Sequence, residues 1–226
     1  LPKLKIGDVL IDTKGAWCSP EEVHVLLQSQ ESTSIEILES IGARILHESL
    51  RPYQALIRNS GVALFDLETL CERLQSSGLD KRTEQSQLPL PLQSEAGLSL
   101  LWGELLILWE RAPKSSKGVE TALRKLALAP GRDGALWPPS QTYCADDATV
   151  RLFEQLDDQI TFVKRSGAFE KLEPLCSVFG PTEAVHCLSR VGPSGLRPLL
   201  TNNPAIFKKV FRWLSSRQKN LLVEIQ

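Results

Sequence analysis

Methionine is absent from all 226 residues. Several would be expected at this length, so the chain reads as a fragment, as an unusual chain, or as one whose methionines were lost in transcription. Neither sign of charge is in excess. With 26 basic and 27 acidic side chains the formal charge is −1 and the pI near 6.4, which lends no whole-chain support to nucleic-acid binding. Long apolar runs are lacking too. A membrane-crossing helix needs about 20 apolar residues, and the longest candidate, Leu98 to Trp109, is shorter and carries Gly103 and Glu104. No positively charged leader with a following apolar stretch opens the chain, so nothing argues for secretion.

Cysteine is sparse and scattered. Cys18, Cys71, Cys144, Cys176 and Cys187 are odd in number, in a chain long enough to fold on an apolar core, so a reducing, cytoplasmic setting is expected rather than a disulfide framework. Zinc needs paired ligands two to four residues apart. Only Cys176, His186 and Cys187 approach this, across a ten-residue gap and with no fourth ligand, so no metal is expected.

What the chain does contain is a recurring pattern: an apolar stretch, a small polar turn ending in glycine, a second apolar stretch, then a helix-start signal. The copies are LIDTKGAWCSPEEV around Gly15, LIRNSGVALFDLETL around Gly61 and LALAPGRDGALWPPSQTY around Gly134. Glycine reaches φ > 0 without steric cost, so each copy is expected to be a two-stranded hairpin. Ser19-Pro20-Glu21-Glu22 has capping-box spacing with proline at the first helical position, which places His24 in a first helix. Asp66 precedes Leu67, Leu70, Cys71 and Leu74 at helical intervals. In the third copy Pro138-Pro139-Ser140 delays the helix until after Asp146 or Asp147, and Val150, Phe153 and Leu156 are its buried face. Intervals of 46 and 73 residues between the three glycines exclude a solenoid of fixed period.

Segment 123–143, LRKLALAPGRDGALWPPSQTY, followed by an acidic pair and an amphipathic helix, resembles the hairpin that recurs in sacsin-like proteins. VLIDTKGAWCSPEEV and ILESIGARILHESL resemble the same regions, so the likeness covers the first 165 residues in patches. Sacsin-like proteins are very large chains in which a GHKL-type chaperone ATPase domain is followed by α+β regions. The resemblance implies a non-catalytic accessory region of such a protein. A GHKL nucleotide site needs a helical Glu or Asp with an Asn, an Asp-x-Gly-x-Gly loop and a glycine-rich lid. The nearest approach, Gly131-Arg132-Asp133-Gly134, lies inside the hairpin pattern. Neither a Walker loop nor a Gly-x-Gly-x-x-Gly motif occurs, so no cofactor is expected.

Nucleophilic catalysis would require a Cys or Ser beside a histidine. Cys18 with His24, or Cys187 with His47, would be the dyads of a cysteine hydrolase, but no local signature such as Gly-x-Ser-x-Gly accompanies them. Asp146-Asp147 and Asp157-Asp158 are neighbours whose side chains diverge by about 100° on a helix, so they read as caps or solvated surface.

Residues 75–94 are polar and proline-containing and read as a loop or linker. Gly97 to Arg111 is a strongly apolar helix with Trp102 and Trp109 on one face, either a core helix or an aromatic stripe for a partner. Lys114 to Gly118 reads as a loop and Val119 to Leu123 as a short helix. Beyond residue 165 helices dominate: Phe169–Phe179, Thr182–Arg190 after Pro181, a break over Val191–Pro198, and an amphipathic helix from Pro204. The last places Ile206, Phe207, Val210, Phe211 and Leu214 on one side and Lys208, Lys209 and Arg212 off it. From Thr201 onward five basic residues stand against Glu224 alone, a net +4 that suits a solvated face, an acidic partner or phosphates.

The reading is therefore an α+β chain: hairpin-plus-helix units in residues 1–165, turning on Gly15, Gly61 and Gly134, and a helical region over 166–226. The expected function is a non-catalytic interaction region of a larger sacsin-like, ATPase-bearing protein. Its partners would be proteins, either clients or other domains of the same chain, met through Trp102, Trp109, Lys208, Lys209 and Arg212. A nucleic-acid-binding module using the basic C-terminal helix is the alternative.

Overall fold

The computed structural model describes residues 10–26, 32–112, 117–157 and 159–223. β1 (Leu10–Ile11) and β2 (Trp17–Cys18) form an antiparallel hairpin turning at Gly15, φ +77°. The buried Asp12 carboxylate accepts the Lys14 and Ala16 N–H groups at 3.0 and 2.9 Å, so the turn carries its own fastening. Val9, assigned to the first strand, lies outside the described residues.

The helix expected from Ser19 is absent. Glu22 N donates to Ser19 O at 3.1 Å and Ser19 N to the Glu22 carboxylate at 3.3 Å, closing a turn that ends in β3 (His24–Val25). Val23, His24, Val25 and Leu26 are all buried, and four consecutive inward residues fit a strand covered on both faces, not one face of a helix.

Three helices share one ending. α1 (Ser32–Ser40), α2 (Gln54–Asn59) and α3 (Leu67–Ser76) are each followed by a glycine of positive φ: Gly42 at +83°, Gly61 at +105° and Gly78 at +84°. The next residue sends its N–H back across the turn, Ala43 to Leu38 O, Val62 to Ile57 O and Leu79 to Leu74 O. This is the Schellman arrangement, completed by apolar contact between the two bonded residues, all of which are buried. Gly61 therefore ends a helix and does not turn a hairpin. The stretch around Leu56 is helical, with Ile57 buried and Leu56 68% exposed. β4 (Ala63–Leu64) follows and lies parallel to β3, whose other neighbour is Ile45. The predicted helix after Asp66 is α3, with Asp66 accepting the Thr69 N–H at 2.9 Å and Leu67, Leu70, Cys71 and Leu74 buried.

Residues 75–94 are packed rather than extended as a linker. They hold the end of α3, β5 (Thr83–Glu84) and two 3-10 turns, and they bury Leu79, Leu88 and Leu92 in the main core. α4 (Glu95–Arg111) runs through that core, started by Ser94, whose hydroxyl accepts the Gly97 N–H. α5 (Lys117–Leu123) follows; the loop expected over 114–118 falls largely outside the described residues. The third copy of the pattern is a hairpin: β6 (Ala129–Pro130) pairs with β7 (Ala135–Trp137) around Gly134, φ +81°, and β5 adds to β7 as the third strand.

β8 (Tyr143–Cys144) leads into α6 (Asp147–Phe153), capped by Asp146 through the Thr149 N–H at 2.8 Å, with Val150, Phe153 and Leu156 buried as expected. Phe169 to Phe179 is not an α-helix. Phe169, Leu172 and Leu175 recur every three residues, the period of the 3-10 turn over Glu170–Leu175, and Pro174 lacks the N–H an α-helix would use. β9 (Ser177–Val178) then pairs parallel with β8.

α7 (Pro181–Asn202) is two helical stretches meeting at Gly192, φ +63° and ψ 176°, so the predicted break occupies one residue and Pro193 starts the second stretch. α8 (Pro204–Val223) is the last described element. A second core gathers here: Phe179 lies 4.8 Å from Phe153, 5.1 Å from Phe162 and 5.6 Å from Tyr143 between ring centres. The fold is α+β, with small sheets among helices and a helical C-terminal part. Among the described residues no helix is long and apolar enough to cross a membrane.

Candidate functional site

The β6–β7 turn carries the strongest sequence pattern, and its polar groups turn inward on each other. Asp133 accepts the Ala135 N–H and the Trp137 indole N–H, each at 3.1 Å, and Arg82 at 3.0 Å. Arg82 also pairs with Glu84 at 2.6 Å and lies 5.2 Å from the Trp137 ring centre. Burial alone would raise the Asp133 carboxyl, but the Ala135, Trp137 and Arg82 hydrogen bonds outweigh it and hold the group below the usual carboxylate range. Gly131 is required for space: a Cβ there would run into Asp133 Oδ1 and Trp137 Cδ1. Arg82, 51 residues away in sequence, had no local signal linking it to this turn.

The Trp102/Trp109 stripe is core. Trp102 is 1% exposed and donates its indole N–H to Leu128 O at 3.1 Å, and Trp109 packs half-buried against the same cluster. Trp102 therefore offers no surface to a partner. The periodicity of α4 allowed both readings; burial decides because α4 is covered by α1, α3 and the 3-10 turns on either side of it.

α8 divides its faces differently from expectation. Ile206 and Val210 are buried, and Trp213 turns inward, 5.0 Å from Phe153 and hydrogen-bonded to Thr149 Oγ1 at 2.8 Å. Phe211, grouped by sequence with the apolar side, is instead 62% exposed. It neighbours exposed Lys208, three residues before it on the helix surface, with exposed Lys209 and Arg212 to either side. Arg217 is directed elsewhere, pairing with Asp146 at 2.8 Å and lying over the Trp213 ring.

The candidate nucleophiles and histidines lie on separate elements. Cys18 is fully buried in β2 with its thiol 3.5 Å from Leu10 O, and His24 lies in β3. His24 Nδ1 has no hydrogen-bond partner among the described residues, and burial, then the Arg73 charge, push the imidazole below its ordinary pKa. The ring meets Phe65 edge-on at 5.7 Å. His47 accepts the Ser49 N–H at 3.2 Å at the start of a 3-10 turn, whereas Cys187 belongs to the second core. Burial, then the Asp157 charge, push the Cys187 thiol up to about 12. His186 is exposed on α7.

The acidic neighbours divide their work. Asp146 caps α6 and takes Arg217, while Asp147 is exposed in the first turn. Asp157 is buried, accepts the Gln159 N–H at 2.9 Å and forms a close ion pair with Arg190; Asp158 lies outside the described residues. Two cysteines that sequence left unconnected meet at one carbonyl: Glu173 O accepts the Cys176 N–H at 2.9 Å and lies 3.8 Å from the Cys144 thiol, while Thr142 Oγ1 donates to Cys176 Sγ at 3.3 Å. Beside Cys144 a cavity of about 200 Å³ opens between Val163, Arg165 and Glu173. No group of three or more possible metal ligands occurs among the described residues. Compared with known proteins, the chain matches no family model, no curated protein and no solved structure.

Proposed function

We propose that this chain is a non-catalytic interaction region of a larger sacsin-like, ATPase-bearing protein, and that it meets a protein partner through the outward face of α8. The observation that carries the reading is Phe211, 62% exposed between Lys208 and Arg212. An exposed aromatic flanked by cations matches a short acidic segment with an apolar anchor: the ring buries area while the cations pair with carboxylates. The β6–β7 turn supports the same reading, since Asp133, Arg82 and Trp137 hold one another. The resemblance of segment 123–143 to sacsin-like hairpins supplies the wider setting.

Fluorescence anisotropy with a labelled Asp/Glu-rich peptide bearing one Phe or Leu tests this. Binding is expected to weaken at least tenfold in Lys208→Glu/Arg212→Glu and in Phe211→Ser, with the fold unchanged by circular dichroism. A DNA duplex of matched charge binding more tightly than the peptide would establish the nucleic-acid alternative instead. Tight magnesium-dependent binding of a fluorescent ATP analogue would overturn the non-catalytic assignment.

A further inference from the structure

The first turn of α4, the β6–β7 hairpin and residues 164–166 border a cavity of about 90 Å³. The last segment is held to β6, where Lys164 N donates to Pro130 O at 2.7 Å and Val163 bridges Gly131. Leu98, Trp102 and Leu136 line the cavity from buried positions, whereas Lys164 and Glu95 line it from exposed ones. Among the described residues these two charges pair neither with each other nor with any other group. Two further lining residues keep hydrogen-bonding capacity in hand. The Gln85 amide nitrogen is used on Gln93 O at 2.8 Å, leaving its Oε1 as an acceptor, and Ser166 uses its carbonyl on the Phe169 N–H at 3.0 Å, leaving its hydroxyl. Gly131 also lines this wall. A side chain there would run into Asp133 and Trp137, so the turn presents backbone to the cavity.

We propose that this cavity binds a small free α-amino acid such as glycine or alanine, with the ammonium on Glu95 and Gln85 Oε1 and the carboxylate on Lys164 and the Ser166 hydroxyl. Opposite charges that border one small cavity without meeting leave a gap that a zwitterion fills, since its own two charges are held apart by a single carbon. Each end then forms a charge-assisted hydrogen bond, the strong kind. A ligand with only one charge would leave the other protein group without a partner in the occupied cavity. At about 30 Å³ per water the space holds roughly three waters, so the ligand's side chain is limited to a hydrogen or a methyl. The apolar lining from Leu98, Trp102 and Leu136 suits that methyl.

Titration of the isotope-labelled full chain with alanine, followed through its amide resonances, tests this. The Gly131, Ala135 and Ser166 amides should shift together, and binding should weaken at least tenfold in Glu95→Gln and in Lys164→Ala. Both positions are exposed, so circular dichroism should be unchanged. Lys171→Ala, which removes an exposed cation outside the cavity, should bind as the parent chain does. Propionate and ethylammonium each carry the methyl with one charge and should bind at least tenfold more weakly than alanine. No shift of these amides with glycine or alanine, equal binding of either singly charged analogue, or insensitivity to both substitutions overturns the proposal.

Discussion

Trp213 Nε1 donates to Thr149 Oγ1 at 2.8 Å across 64 residues of sequence, tying α8 to the first turn of α6. Thr149 is itself held by Asp146 through both its N–H and its hydroxyl, and Asp146 takes Arg217. Trp213→Phe keeps an aromatic ring but leaves the buried Thr149 hydroxyl one partner short, so a loss of about 1–2 kcal/mol is expected in urea denaturation. Trp213→Ala also removes the contact with Phe153, and about 2–4 kcal/mol should go, with the slope of unfolding unchanged. Equal effects of the two variants would show that the hydrogen bond, not the ring, anchors α8.

The glycines separate by backbone geometry. Gly61→Ala should destabilise by about 1–2 kcal/mol, since φ of +105° strains any side chain although space is open around it. Gly103→Ala, inside α4 with nothing within 4 Å of the added carbon, should stabilise by about 0.5–1 kcal/mol. Gly97→Ala in the same helix should destabilise, because its Cβ would strike the Pro91 carbonyl. Thermal midpoints of the three variants check the order.

His24 predicts an acid-side loss of stability. Its folded pKa lies below 6.5, lowered by burial first and by Arg73 next, against weaker raising effects from the Arg44 backbone hydrogen bond, Asp66 and Glu72. A lowered folded value means the unfolded chain takes up the proton first. The neutral ring's contribution is therefore whole above pH 6.5 and lost as pH falls through the folded value. His24→Leu should flatten the denaturation midpoint across that window; an unchanged slope from pH 7 to 5 would refute the assignment.

Trp102 and Lys208 should behave as opposites. Trp102→Ala is expected to cost about 3–5 kcal/mol, as the ring is fully buried and its loss also strands Leu128 O. Lys208→Glu should leave the thermal midpoint within about a degree, because surface substitutions lie within about 0.5 kcal/mol. Only the second should alter capture of an acidic peptide.

Where local chemistry sufficed, the sequence was legible. Asp66 and Asp146 cap the helices they precede, the Gly15 and Gly134 turns form hairpins, and α4 follows its apolar periodicity. The misreadings share a cause. Glycine after an apolar stretch closes either a hairpin or a helix, and at Gly61 the outcome depends on whether Ile57 reaches Val62 in the core. Ser19 to Glu22 forms its capping-type hydrogen bond and still leads into a strand, because β4 and Ile45 flank His24. The candidate surface was legible by composition in Lys208, Lys209 and Arg212, but Phe211 was assigned to the wrong side of its helix.

By itself, then, the sequence determined the local elements: which residues cap, where glycine permits positive φ, and which helices carry an apolar face. Those depend on sterics and hydrogen bonds within about five residues. Only the tertiary structure decided that Trp102 is core and Phe211 surface, that Arg82 secures a turn 51 residues away, and that Cys144 and Cys176 share the Glu173 carbonyl. Such pairings arise from packing separate elements against one another, and residue order along a single element does not encode its neighbours.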